Sequence, residues 1–289
     1  MRVLIGYNGS SASAAIFEDL QFAGVPPNSE IGVLVVVDPI VFPKSEGDAA
    51  ILAANAREEL HRYSPALNVD VRIVSGNAAS EIINAAELLH PDLMMLGEPG
   101  HAGPDGHFRL GAVSMRVVSE TKCPVRISRA PVIAELRPAR ILVGYDGSSG
   151  AKCAVDSLIS RTWPNGLEVR FLAVADSTVL ATIGRFAPQI NDLAVSERYV
   201  VQWAETLCER SCLKLREAGI GSEVAVRFGN PAAGILAEAF DWRADSILVG
   251  PHSFPNITGR SALGSVSLAV AAEADRSVEI CRCFDEAAI

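Results

Sequence analysis

Ile247–Ser267 reads ILVGPHSFPNITGRSALGSVS. The stretch opens on an apolar run, Ile247-Leu248-Val249, short enough to be a buried strand. The run breaks at Gly250 and crosses a loop rich in Pro, Asn, Gly and Ser. It restarts at Gly264-Ser265-Val266-Ser267, ahead of the Ala-rich, helix-like SLAVAAEA. The order is strand, glycine loop, helix N-terminus. Exposed N–H groups at a helix start, with small residues beside them, suit phosphate and other anions. The stretch therefore predicts an anion site and does not name its ligand.

The layout occurs twice. Met94–Ser114 reads MMLGEPGHAGPDGHFRLGAVS, with Gly97 matching Gly250 and Gly111 matching Gly264 (250 − 97 = 264 − 111 = 153). Upstream, VLIGYNGSS from Val3 matches ILVGYDGSS from Ile141, and Asn8 matches Asp146 (146 − 8 = 138). The second copy thus carries about fifteen extra residues between these landmarks (153 − 138). A repeat this long is a duplicated domain and not a solenoid unit. The expected division is a first domain over 1–129, a linker over 130–139 (APVIAELRPA from Ala130) and a second domain over 140–289.

A chain of 289 residues has room for two domains of ordinary size. Its 49% hydrophobic and 20% charged content predicts a soluble globular class. The net charge of −9 disfavours non-specific binding to nucleic acid. No run of about 18 apolar residues is present, so no membrane span is expected. The apolar run in MRVLIGYNGSS is too short for a signal peptide and reads as a first strand. None of the six cysteines forms a C-x-x-C pair. A zinc site from Cys208, Cys212, Cys281 and Cys283 is conceivable, but reduced thiols in a cytoplasmic protein are the favoured reading.

Read in order, each half gives five strands alternating with helices. The expected strands of the first half are Arg2–Tyr7, Glu30–Asp38, Val69–Ser75, Leu93–Leu96 and Val125–Ser128. Those of the second are Arg140–Tyr145, Glu168–Ala175, Glu223–Phe228, Ser246–Val249 and Val278–Arg282. Such alternation predicts an α/β fold of two tandem doubly wound domains, each a five-stranded parallel sheet with helices on both faces. With strand order 3-2-1-4-5, the first and fourth strands flank the switch point where ligands bind. The turn at Asp146 and the loop at Gly250 then face one crevice.

At these residues the chain resembles the universal stress protein family in its tandem form. The likeness rests on YNGSS (Tyr7–Ser11) and YDGSS (Tyr145–Ser149), and on the G-N turns Gly76–Ala79 and Gly229–Ala232. It rests also on GAVS (Gly111–Ser114) with CPVRISR (Cys123–Arg129), and on GSVS (Gly264–Ser267). The resemblance implies an adenine nucleotide, ATP or AMP, with Mg as an optional companion, and a role as stress sensor or regulator. It implies too that the copies pair through their last strands as an internal pseudo-dimer; further homo-oligomerisation is left open. The family's ATP-binding pattern, G-x-x-G, nine residues, G-S/T, is one residue shorter than the spacings here, where ten residues separate Gly100 from Gly111 and Ser253 from Gly264.

The expected nucleotide site is in the second copy: Asp146, Gly250, Ser253, Gly264, Ser265 and Ser267. A weaker one in the first copy comprises Asn8, Gly97, Gly100, Gly111 and Ser114. Asn8 lacks the carboxylate charge and Ala112 lacks the hydroxyl of Ser265, so the second site is expected to dominate. Each of these residues also has a plainer role, as turn former or helix cap. His252 is a candidate phosphate contact. His101, Asp105 and His107 read as solvated loop residues before a metal site, and Asp38 and Asp176 as strand terminators. Neither glycine loop carries the lysine of a phosphate-loop enzyme, and no nucleophile–base set assembles from position alone. The favoured reading is a binder. Its rivals are a same-fold interaction module without nucleotide and, lower, an enzyme acting on an adenylated substrate.

Overall fold

The computed structural model describes residues 1–38, 46–63, 65–98, 110–129, 137–163, 166–176, 179, 193–251 and 263–283. The first half runs β1 (Arg2–Tyr7), α1 (Ser11–Asp19), β2 (Glu30–Val37), α2 (Glu46–Tyr63), β3 (Asn68–Ser75), α3 (Ala78–Leu89), β4 (Leu93–Gly97), α4 (Ala112–Glu120) and β5 (Val125–Ser128). The second runs β6 (Ala139–Gly144), α5 (Ser149–Ser160), β7 (Leu167–Ala175), α6 (Leu193–Glu217), β8 (Gly221–Phe228), α7 (Pro231–Asp241), β9 (Ser246–Val249), α8 (Ser265–Glu273) and β10 (Ser277–Ile280). Most of the expected linker and the second-copy insertion lie outside the described residues.

All ten strands form one sheet, ordered β3-β2-β1-β4-β5-β10-β9-β6-β7-β8. Each half has the order 3-2-1-4-5, and within each half every pairing is parallel. The halves join by one antiparallel pair, with Glu279 opposite Arg126 at its centre. The two copies therefore form an internal pseudo-dimer. A last strand with an unpaired edge invites such pairing, and here each edge covers the other. One sheet face carries a single core shared by both halves, including Val117, Val118, Ile127, Val270, Ala271 and Ile280. The opposite face carries a separate core in each half, under α1 and α2 and under α5 and α6.

The joint combines symmetric and asymmetric contacts. Arg129 donates to the carbonyls of Ala271 and Arg276, and Arg282 donates to those of Val118 and Cys123. These are reciprocal, since each residue differs from its counterpart by 153 (282 − 129, 271 − 118, 276 − 123). Each guanidinium thus reaches the last turn of the other half's helix, where cations are favoured. Arg126 and Glu279 occupy matching positions too (279 − 126 = 153) but carry opposite charge. Arg126 is fully buried and bidentate to Asp19 at 2.7 Å, with Glu279 at 3.8 Å. Glu279 accepts two bonds from Arg161 at 2.8 and 2.6 Å. Burial alone would raise the Glu279 carboxyl, but Arg161 and then Arg126 outweigh it and hold the carboxyl below its ordinary value. A joint of two identical halves would set like charge against like here.

The cysteines depart from expectation. Cys153 in α5 and Cys283 form a disulfide, with a Cα–Cα distance of 5.4 Å. The reading of all six as reduced thiols is thereby corrected. β10 stops at Ile280, and Cys283, three residues beyond it, lies against α5 within disulfide reach of Cys153. Cys208 is a core residue and burial pushes its thiol up to about 12; Cys123 is pushed up to about 11 for the same reason. No described helix is long and apolar enough to cross a membrane.

Candidate functional site

The crevice of the second copy lies beyond the adjacent ends of β6 and β9, and three segments meet there. The first is the turn after β6. Asp146 Oδ1 accepts from Ser148 N at 3.0 Å, Gly147 takes φ +77°, and Ser148 Oγ caps α5 by accepting from Ala151 N at 3.2 Å. Positive φ is the reason for glycine in this turn. Asp146 is thus a turn former, and Ser148 rather than Asp146 is the cap. Tyr145, beside it, is buried; its hydroxyl shares a 2.7 Å hydrogen bond with Ser211.

The second segment is the end of β9. A Cβ on Gly250 would lie 2.6 Å from the Gly150 carbonyl carbon and 2.7 Å from Ala151 N. Gly250 therefore lets the start of α5 press backbone to backbone against the strand end. The third segment is the start of α8. Its N-cap, Gly264, makes no side-chain capping bond. Ser267 does not cap the helix either: its hydroxyl donates to Gly250 O at 2.5 Å, fastening α8 to the strand end. Ser265 is exposed at the first helical position. Ser253 and His252 lie outside the described residues.

The first copy repeats the frame. Asn8 Oδ1 accepts from Ser10 N at 3.0 Å, and Ser10 Oγ caps α1 through Ser13 N at 3.2 Å. Gly97 is tighter than Gly250, since a Cβ there would lie 2.0 Å from Ala12 O. Ser114 is buried. Gly100, His101, Asp105 and His107 lie outside the described residues. The difference is at the start of α4. Gly111, its N-cap, donates its N–H to Glu98 Oε1 at 3.2 Å. Glu98 is only 6% exposed. It also faces the buried Arg129, whose guanidinium is pushed down to about 10 by burial, with Glu98 first among the carboxylates that oppose the shift. The matching residue of the second copy is Pro251 (98 + 153). Sequence reasoning passed over Glu98; aligning the two copies position by position exposes it.

Asp176 follows β7 and accepts from Val179 N at 3.0 Å. Among the described residues, no group of three or more His, Cys, Asp or Glu is arranged to hold a metal.

A family model for the universal stress protein family matches residues 1–129 and 139–282. The chain belongs to the universal stress protein family. A universal stress protein of Methanocaldococcus jannaschii is 25% identical over 141 residues, covering 45% of this chain and 82% of that one. Among solved structures, a universal stress protein from Archaeoglobus fulgidus aligns over 99% of this chain and 97% of its own, with TM-score 0.68 and 21% identity. A functionally unknown protein from Pseudomonas aeruginosa aligns over 97% and 92%, with TM-score 0.66 and 15% identity. At these identities the structures establish a shared fold across both halves of this universal stress protein.

Proposed function

We propose that this universal stress protein binds one adenine nucleotide per chain, ATP or AMP, in its second copy, and acts as a regulator rather than a catalyst. One observation carries the reading: the Asp146 turn, the Gly250 strand end and the start of α8, whose N-cap is a glycine, converge beyond β6 and β9. This is the switch point of a doubly wound sheet, where ligands bind. The N–H groups of α8 and the Ser265 hydroxyl are donors for phosphate oxygens. Asp146 accepts from a ribose hydroxyl, or meets an Mg²⁺ that accompanies ATP, since that ion takes oxygen ligands. The crevice offers a phosphate no lysine from a glycine loop, which favours holding a nucleotide over cleaving it.

A nucleotide-free interaction module is the second reading, and Glu98 at the start of α4 favours it for the first copy. Calorimetric titration with ATP separates the two. Asp146→Asn keeps the turn's acceptor, as Asn8 shows, and removes only the charge. Losing a bond to a charged group costs about 1.5–3 kcal/mol, so ATP affinity is expected to fall by roughly 10- to 150-fold. Asn8→Ala is expected to leave it within about twofold, inside the range of an untouched site. Equal affinity in wild type and Asp146→Asn, with loss in Asn8→Ala, reverses the assignment; no heat in any variant leaves only the interaction module.

A further inference from the structure

We propose that Glu98 is a built-in anion: its carboxylate holds the place at the start of α4 that a nucleotide phosphate would take, and so closes the first copy to nucleotide. The inference rests on the nucleotide reading of the second copy and extends it to the crevice that would otherwise be its equal.

Five observations carry it. The carboxylate is engaged, accepting from Gly111 N at 3.2 Å, and a Cβ on Gly111 would lie 3.1 Å from one of its oxygens and 3.5 Å from the other. Both oxygens therefore face the helix start. The bond reaches across the whole glycine loop, from a residue thirteen positions upstream, so it is not a cap supplied by the helix's own first turn. Glu98 is pinned, because its backbone N–H donates to Ser128 O at 3.0 Å and extends the β4–β5 ladder. Its charge acts electrostatically on the buried Arg129, opposing the effect of burial on that guanidinium. At the matching position the second copy has Pro251, which has no ionisable group.

The chemistry follows from like charges sharing one small site. A carboxylate and a phosphate use the same donors at a helix N-terminus. A phosphate entering the first copy must displace Glu98 from Gly111 N or sit beside its charge, and a buried like charge disfavours the ionised newcomer. The two crevices are then one open site and one shut site, not a strong and a weak version of the same site.

The test counts ATP bound per full-length chain, by calorimetry, in wild type, Glu98→Ala and Glu98→Gln. The glutamine keeps an acceptor for Gly111 N–H and removes the charge, and it carries the test should the alanine variant melt below the titration temperature. Wild type is expected to bind one equivalent, and a second equivalent is expected in either variant. One equivalent in all three overturns the inference and leaves the nucleotide reading standing. No binding in wild type with one equivalent in a variant supports the inference and overturns the assignment to the second copy. Two equivalents in wild type, or none in any protein, overturns the inference.

Discussion

The two halves share one topology on diverged sequences, and the places where matched residues agree or differ are informative. What holds the frame is repeated. Asn77 and Asn230 cap α3 and α7 in the same way, Ser10 and Ser148 cap α1 and α5, and Arg129 and Arg282 exchange the same carbonyl contacts. Among the matched positions that differ, three lie at the crevice and on the pseudo-two-fold axis. Asn8 stands against Asp146, Glu98 against Pro251, and Arg126 against Glu279. On the axis, opposite charges make the halves complementary to each other and self-repelling if duplicated. At the crevice, the first copy sets a carboxylate, Glu98, against the start of α4, where the second copy has Pro251 at the matching position.

The largest expected effect concerns the axis. Glu279→Gln leaves Arg161 and Arg126 buried without their shared carboxylate, and breaking a buried pair costs about 3–5 kcal/mol. Urea unfolding checks this, and a loss under about 1 kcal/mol would show that the Glu279 carboxylate contributes little to holding the halves. Acid has a defined sign here. The folded carboxyl titrates below its ordinary value, so its contribution is complete above about pH 4.3 and is lost as pH falls through the folded value. The glutamine variant is therefore expected to lose less stability on acidification than wild type.

Next is the tether that only the second half carries. Cys153 and Cys283 match Ala15 and Ala130 of the first half (153 − 138, 283 − 153). Reduction, or Cys283→Ala, frees a link between residues 130 apart and is expected to cost about 2–4 kcal/mol. Unfolding with and without reductant measures it; identical midpoints would remove the tether as a difference between the halves.

A smaller effect compares the two strand-end glycines. Gly97→Ala and Gly250→Ala each overpack a backbone contact, at about 1–3 kcal/mol. The loss is expected to be greater at Gly97, where the added carbon meets Ala12 O at 2.0 Å against 2.6 Å for the nearest atom at Gly250. The reverse ranking in thermal denaturation would contradict the close-approach account.

Much of the fold was legible because buried parallel strands read as apolar runs and the duplication doubled every signal. The joint between β5 and β10 was what the resemblance to the family implied, and two last strands with open edges are consistent with it. The charges inside it were not implied. VRIS and SVEI read as strands whatever their charges pair with, and the partners of the buried Arg126 and Glu279 lie far away in the sequence, at Asp19 and Arg161. Gly97 and Gly250 read as phosphate-loop glycines, but a close approach to another backbone leaves no mark in local sequence. Glu98 was hidden for a related reason: a charge after a strand reads as loop, and its partner lies across the loop at Gly111. Ser267 reads as a helix cap because serine suits that position, and its bond to Gly250 O depends on strand and helix being brought together.

The central claim is that one of two like crevices takes nucleotide. Equilibrium dialysis of the full chain against saturating ATP measures it most directly. The account predicts one ATP per chain, abolished or sharply weakened by Asp146→Asn. Two equivalents of matched affinity, or one that is indifferent to Asp146→Asn, would contradict it.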